Sequence, residues 1–202
     1  MFSKLTWKVN HSRAYPTPAR HARSHGMNQA LTCIALPAPD CVRRGVFPMQ
    51  GETGPLPADL ARYAEGTGLL LLPPAMPAPG IGHGLPEPAL RTADMGAWQG
   101  RPLKDLPPAD LARWVADAGF APPGGESRAA HLHRVARWLE ALPPVPARIT
   151  VMADATVVRA IVVAALGGTA AMLSRLDIAP LTRIHLTRHA TWRVAASGAP
   201  LP

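Results

Sequence analysis

Asp154 is the residue of this sequence best placed to do chemistry. It follows an apolar run over residues 148–153 and precedes a second apolar run over 156–166. Facing an apolar pocket, a carboxyl there would be a general base, because burial raises its pKa. Turned onto the first amides of a following helix, it would be an N-cap, a role aspartate performs well. The two roles are not exclusive. Other reactive groups stand in weaker patterns. His131 and His133 are two apart on one predicted helix, so they point to different faces, whereas zinc ligands on a helix stand at i and i+4. They read as surface histidines, and no metal site is expected. Gly80-Ile81-Gly82-His83-Gly84 has the glycines of a phosphate loop, but no strand leads in and no helix leads out. It reads as a flexible loop, from which His83 would reach a nearby pocket. Cys33 and Cys41 fit neither a redox pair nor a zinc site and read as reduced thiols, with Cys33 inside a strand.

Asp154 needs a strand before it and a helix after it, and the chain repeats that pattern. Residues 30–36, 69–72 and 148–153 are short apolar runs, the first two closed by prolines, which read as buried strands. Helices are predicted over 58–65, 108–118, 128–142, 156–166 and 169–176. Leu111, Trp114 and Val115 form one apolar face of the second, and Leu132, Val135, Leu139 and Leu142 one face of the third, which Ser127 caps. The 156–166 helix is apolar nearly all round, hence buried, and Gly167 stops it. Residues 41–57 and 73–88 read as loops, and 181–187 with 191–196 as a terminal strand pair. Strands alternating with helices predict a three-layer α/β/α sandwich around a mostly parallel central sheet.

The formal charge of the 202 residues is +8, which invites a nucleic-acid partner. Residues 1–26 hold Lys4, Lys8, Arg13, Arg20 and Arg23 with no acid, and so carry +5 of that total. The remaining +3 forms no basic stripe with interleaved aromatics, so no nucleic acid is expected. No apolar stretch of the length needed to span a bilayer occurs, so no membrane is expected either. Residues 1–26 read as a basic extension and 27–202 as one domain, with Met27 an alternative start. The reduced thiols suggest a cytoplasmic protein.

Three segments carry a resemblance. Leu90-Arg91-Thr92-Ala93-Asp94-Met95-Gly96-Ala97-Trp98-Gln99-Gly100 is similar to "L-x-E-x-D-F-G-x-W-E-G", and Pro123-Gly124-Gly125-Glu126-Ser127 to "P-G-G-E-S". Val151-Met152-Ala153-Asp154-Ala155-Thr156-Val157-Val158-Arg159 is similar to "V-x-H-x-G-x-I-R". Together, over roughly residues 30–195, they resemble the histidine phosphatase (phosphoglycerate mutase-like) superfamily. That resemblance implies a nucleophilic histidine after the first strand. It also implies two arginines and a second histidine around the phosphoryl oxygens, and a carboxylate that protonates the leaving group. At these positions the chain has Leu36 for an arginine and Pro37 for the nucleophile. No arginine occurs near 73–78, Thr92 replaces the acid, and Asp154 replaces the second histidine. Proline has no nucleophilic side chain and leucine cannot bind phosphate. The later Thr187-Arg188-His189-Ala190-Thr191 mimics the nucleophile motif, but it lies too near the end of the domain and reads as solvated strand charges.

The expectation is therefore a superfamily member that has lost phosphatase and mutase activity and binds a small molecule or a protein partner, with a homodimer open to it and no cofactor. Pocket candidates are Leu36, Pro37, Asp40, Arg91, Thr92, Asp154 and Thr156. A pocket of Pro37, Thr92 and Asp154 favours a neutral or cationic ligand. One alternative is a repurposed enzyme with Asp154, aided by Asp40, as general base. Another is a residual phosphomonoesterase resembling alpha-ribazole phosphatase, which would need two of Arg43, Arg44, Arg91 and Arg159 to converge on the pocket.

Overall fold

Apolar runs that are buried on both faces belong in the middle of a sheet, and the first three strands of the reading are found there. The computed structural model describes residues 29–74, 76 and 84–201. Its strands are β1 (Gln29–Leu36), β2 (Leu69–Leu72), β3 (Leu85–Pro86), β4 (Arg148–Asp154), β5 (Thr182–Arg188) and β6 (Trp192–Pro200), in the sheet order β3-β2-β4-β1-β5-β6. The pairs β1–β4, β2–β4 and β2–β3 are parallel, whereas β1–β5 and β5–β6 are antiparallel. The expected mixed α/β fold is thus present, parallel at its centre, with an antiparallel pair at one edge. The expected extension over 1–26 and His83 lie outside the described residues.

Alternation along β1 divides the core. Leu31, Cys33 and Ala35 face α3 (Arg128–Ala141) and α4 (Ala155–Ala165). Ile34 and Leu36 face the other way, into a smaller cluster with Leu60, Leu70, Leu72 and Met152. Strands covered on both sides read as continuous apolar runs, which is why the sequence shows them so plainly. Helix α3 buries Leu132, Val135 and Leu139, with Leu142 buried at its end, and α4 buries Val157, Val158 and four consecutive residues from Ala160 to Val163. Gly167 follows α4 at φ +65°, the left-handed geometry that ends a helix.

Several segments depart from expectation, among them 169–176, which forms only the 3-10 turn Ala170–Ser174. Residues 58–65 form only a tight 3-10 turn, Leu60–Ala64, because the run between Pro57 and Gly66 is too short to nucleate α-helix. The third layer is correspondingly thin. One helical turn, α1 (Asp40–Arg43), interrupts the predicted 41–57 loop, and the two-residue β3 arises inside the predicted 73–88 loop. In α2 (Pro108–Ala116), Leu111 and Trp114 pack against Phe47, Trp98 and Phe120, but Val115 is 67% exposed. That small aromatic cluster takes one narrow stripe of the helix and leaves Val115 beside it. Among the described residues, no helix is long and apolar enough to cross a membrane.

Candidate functional site

Because β1 and β4 run parallel and in register, their carboxyl ends emerge side by side, with Leu36 opposite Asp154. Ligands of open α/β sheets bind at such strand ends. Asp154 leaves the strand at φ −62°, ψ 160° and caps α4, its Oδ1 accepting from Thr156 N at 2.8 Å and Val157 N at 3.2 Å. The Thr156 hydroxyl donates to the same oxygen. The other oxygen, Oδ2, accepts from Thr92 Oγ1 at 2.7 Å. One carboxylate thus stitches the start of α4 to the loop that follows β3. Asp154→Ala is expected to lower stability by about 2 kcal/mol, since it removes an N-cap and leaves Thr92 without its acceptor. Asp154→Asn should restore part of that loss, read as the midpoint of urea unfolding.

The other sequence candidates are dispersed. Leu36 is buried in the second core cluster. Pro37 is half-buried, and its carbonyl accepts from Gly54 N at 2.9 Å. Gly54 lies so close that an added Cβ would stand 2.4 Å from the Ala38 carbonyl oxygen, so the 49–54 loop lies directly against this end of β1. Asp40 is exposed in α1 and pairs with Arg43. Arg91 reaches Glu126 at 3.4 Å, and Arg159 is held by Leu173 O and Asp177, each at 3.2 Å. The structure therefore joins Thr92, Asp154 and Thr156, and leaves Pro37, Asp40 and Arg91 with partners of their own. Among the described residues, no cluster of histidine, cysteine or carboxylate side chains could hold a metal ion.

Beside the Thr92–Asp154 contact opens a cavity of about 470 Å³. Thr92 and Thr156 line it, together with Val42, Phe47, Met49, Met95, Trp114 and Val115, and with the charged or polar Glu126, Arg128, His131 and Arg159. Of the four arginines named as phosphate ligands, only Arg159 is among these. His131 corrects an expectation: it is 3% exposed, not a surface residue. It lies on the same face of α3 as Val135, and Arg134 Nη2 approaches its Nδ1 at 2.8 Å. The other ring nitrogen, Nε2, lies 3.5 Å from Thr156 O, so the ring bridges α3 and the start of α4. Glu126 Oε2 also lies 3.7 Å from that Nδ1.

Glu126 sits under a two-pronged arginine contact, from Arg134 Nε to Oε1 at 2.9 Å and from Nη2 to Oε2 at 2.7 Å. Burial alone would raise its pKa, but the Arg134 guanidinium and the His131 ring together outweigh burial and hold the carboxyl well below the ordinary carboxylate range. Glu126 and Arg134 are eight apart, outside the i, i+3 and i+4 spacings that make a helical pair visible in sequence. At the far end of the molecule, Arg188 donates to Leu142 O at 3.0 Å and stacks on Trp192 at 5.6 Å, so part of the Thr187–Thr191 motif is tied into the hairpin.

A family model described as the histidine phosphatase superfamily (branch 1) matches residues 85–197, more than half of the chain. Among solved structures, the mycobacterial glucosyl-3-phosphoglycerate phosphatase superposes with a TM-score of 0.64 at 22% identity, covering 85% of this chain and 99% of that one. The alpha-ribazole phosphatase from Shigella flexneri superposes at 0.67 and 18%, covering 86% and 99%. A protein from Thermus thermophilus gives 0.60 and 25%, covering 85% and 99%. No curated protein matches the sequence. At such identities the solved structures share the fold.

Proposed function

This chain belongs to the histidine phosphatase superfamily, branch 1, and we propose that it has left that superfamily's phosphoryl-transfer chemistry and holds a small molecule or a protein partner in the cavity beside the ends of β1 and β4. The observation that carries this is the state of Asp154. It occupies the position that the resemblance assigns to a phosphate-binding histidine, and its two oxygens accept from Thr92, Thr156 and Val157. A phosphate brought to within about 4 Å of that carboxylate meets a repulsion of roughly 1 to 4 kcal/mol between unit charges, where a histidine would attract it.

Two further features support the same conclusion. The position expected for the nucleophile is Pro37, and Gly54 lies against its backbone. Of the arginines named for a rebuilt phosphate site, Arg43 pairs with Asp40 and Arg91 with Glu126, and Arg159, which lines the cavity, is held by Leu173 O and Asp177. A general base at Asp154 gains little support, because the carboxylate is saturated by donors and Asp40 pairs with Arg43 instead of joining it.

Hydrolysis of p-nitrophenyl phosphate between about pH 4 and 9 tests the loss directly. We expect no turnover above buffer from the native chain or from Asp154→Ala. Turnover that disappears in Asp154→Ala would overturn the proposal and favour a residual phosphomonoesterase akin in activity, as it is in fold, to the alpha-ribazole phosphatase.

A further inference from the structure

Arg128 is oddly placed. It is the first residue of α3, directly after the cap Ser127, and the first turn holds no acid. A cation there opposes the positive end of the helix dipole. Arg128 also pairs with no carboxylate among the described residues. Its Nη2 donates to Val115 O at 2.8 Å, while its Nε is buried without an acceptor. Trp114, the neighbour of Val115, likewise has a buried Nε1–H without an acceptor. Both side chains line the cavity.

The rest of the lining has no negative charge to spare. Its one acid, Glu126, is already neutralised by Arg134 and Arg91. The remaining wall is mostly apolar, with Gln50, Thr92, Gln99 and Thr156 among its polar residues and Arg159 held by Leu173 O and Asp177, and at the mouth Met49 is 55% and Val115 67% exposed. A pocket judged only from Pro37, Thr92 and Asp154 would favour a neutral or cationic ligand. Arg128 stands outside that set and reverses the sign. We propose that the cavity takes an organic carboxylate with an apolar body, its carboxylate at the Arg128 guanidinium and its body against Val42, Phe47, Met49 and the Trp114 ring. This rests on the reading of the cavity as a binding site. A volume of about 470 Å³ suits a ligand of that size.

Calorimetric titration with decanoate below its micellar concentration, with 1-decanol and with decyltrimethylammonium tests the charge as well as the body. Decanoate should bind about tenfold or more tighter than 1-decanol, the worth of a charge-assisted contact, and the cation should not bind. Arg128→Gln should bring decanoate down to the level of 1-decanol and leave 1-decanol unchanged, and Arg128→Lys should recover part of the difference. The melting temperature of Arg128→Gln should hold or rise, because the change removes a cation from the helix start. Equal binding of all three probes, or no binding of any, overturns the assignment while the loss of phosphatase activity stands on its own assay. A fall in melting temperature with loss of 1-decanol binding would show Arg128 to be merely structural and overturns it too. Turnover of p-nitrophenyl phosphate abolished in Asp154→Ala would instead sink the functional proposal, whatever decanoate does.

Discussion

Glu126→Ala is expected to cost about 3 to 5 kcal/mol of stability, the loss typical of breaking a buried ion pair from one side. The Glu126 and Arg134 side chains are 11% and 17% exposed, so neither charge has ready access to water. Without the carboxylate, Arg134 keeps Ala89 O at 2.6 Å and the His131 ring, neither of which carries a compensating charge. Arg91 loses its partner as well. Glu126→Gln retains the shape and one acceptor, and should cost less. The check is the urea midpoint at constant slope. The same carboxyl sets an acid limit. Its folded-state pKa is depressed, so the unfolded chain binds the proton more readily. The stabilisation is therefore complete above the unfolded value of about 4.3, and it is lost progressively as pH falls below it, at up to about 1.4 kcal/mol per pH unit. In Glu126→Gln that acid slope should be shallower. A variant with an unchanged slope and a loss under about 1 kcal/mol would mean that the pair is solvated like a surface bridge.

The parts of this molecule that are legible in the sequence are those whose causes are local. Proline-bounded apolar runs become β1 and β2, and a third apolar run becomes β4, because burial on both faces demands apolar residues at every position. The buried stripe of α3 and the uniformly apolar α4 follow from helical period alone. Asp154 is readable as a cap because it stands at a strand–helix join. Weighed only against His133 as a metal pair, His131 looks like a surface residue. Its spacing of four from Val135 and seven from Trp138 puts it on the buried stripe of the same helix. The cavity is not legible at all. Its wall draws on residues 42–50, 92–99, 114–115, 126–131 and 156–174, and no periodicity links segments brought together only by folding. Arg128 therefore looks like an ordinary helix residue in the sequence, and the cation it adds to the wall is not legible there. The two resembling loops around residues 90–100 and 123–127 are visible as motifs, but what makes their glycines necessary appears only where they cross.

At that crossing Gly96→Ala is expected to be among the most damaging single changes in the chain. Gly96 has φ +50°, and an added Cβ would stand 2.3 Å from Pro123 O and 2.5 Å from Gly125 N. Both are backbone atoms, so no rotamer change relieves the clash. Gly125 is equally confined from the other side, an added Cβ there standing 2.5 Å from Asp94 O. The loops are held at this distance by Ala97 N to Pro123 O at 2.9 Å and Glu126 N to Asp94 O at 2.7 Å. Forcing them apart displaces Trp98, which is 2% exposed, and pulls on both Thr92 and Glu126, the two ends of the site. The expected loss is about 4 kcal/mol or more, in the range reserved for core disruption and backbone strain. Gly124→Ala separates the causes. Gly124 has φ +70° but nothing within 4 Å of the added carbon, so only the conformational penalty applies, about 1 to 2 kcal/mol. Unfolding midpoints of the two variants should differ accordingly, with Trp98 fluorescence altered in Gly96→Ala alone. If the two alanines cost the same, the close approach of the loops contributes nothing, and the glycine at 96 serves only its backbone angle.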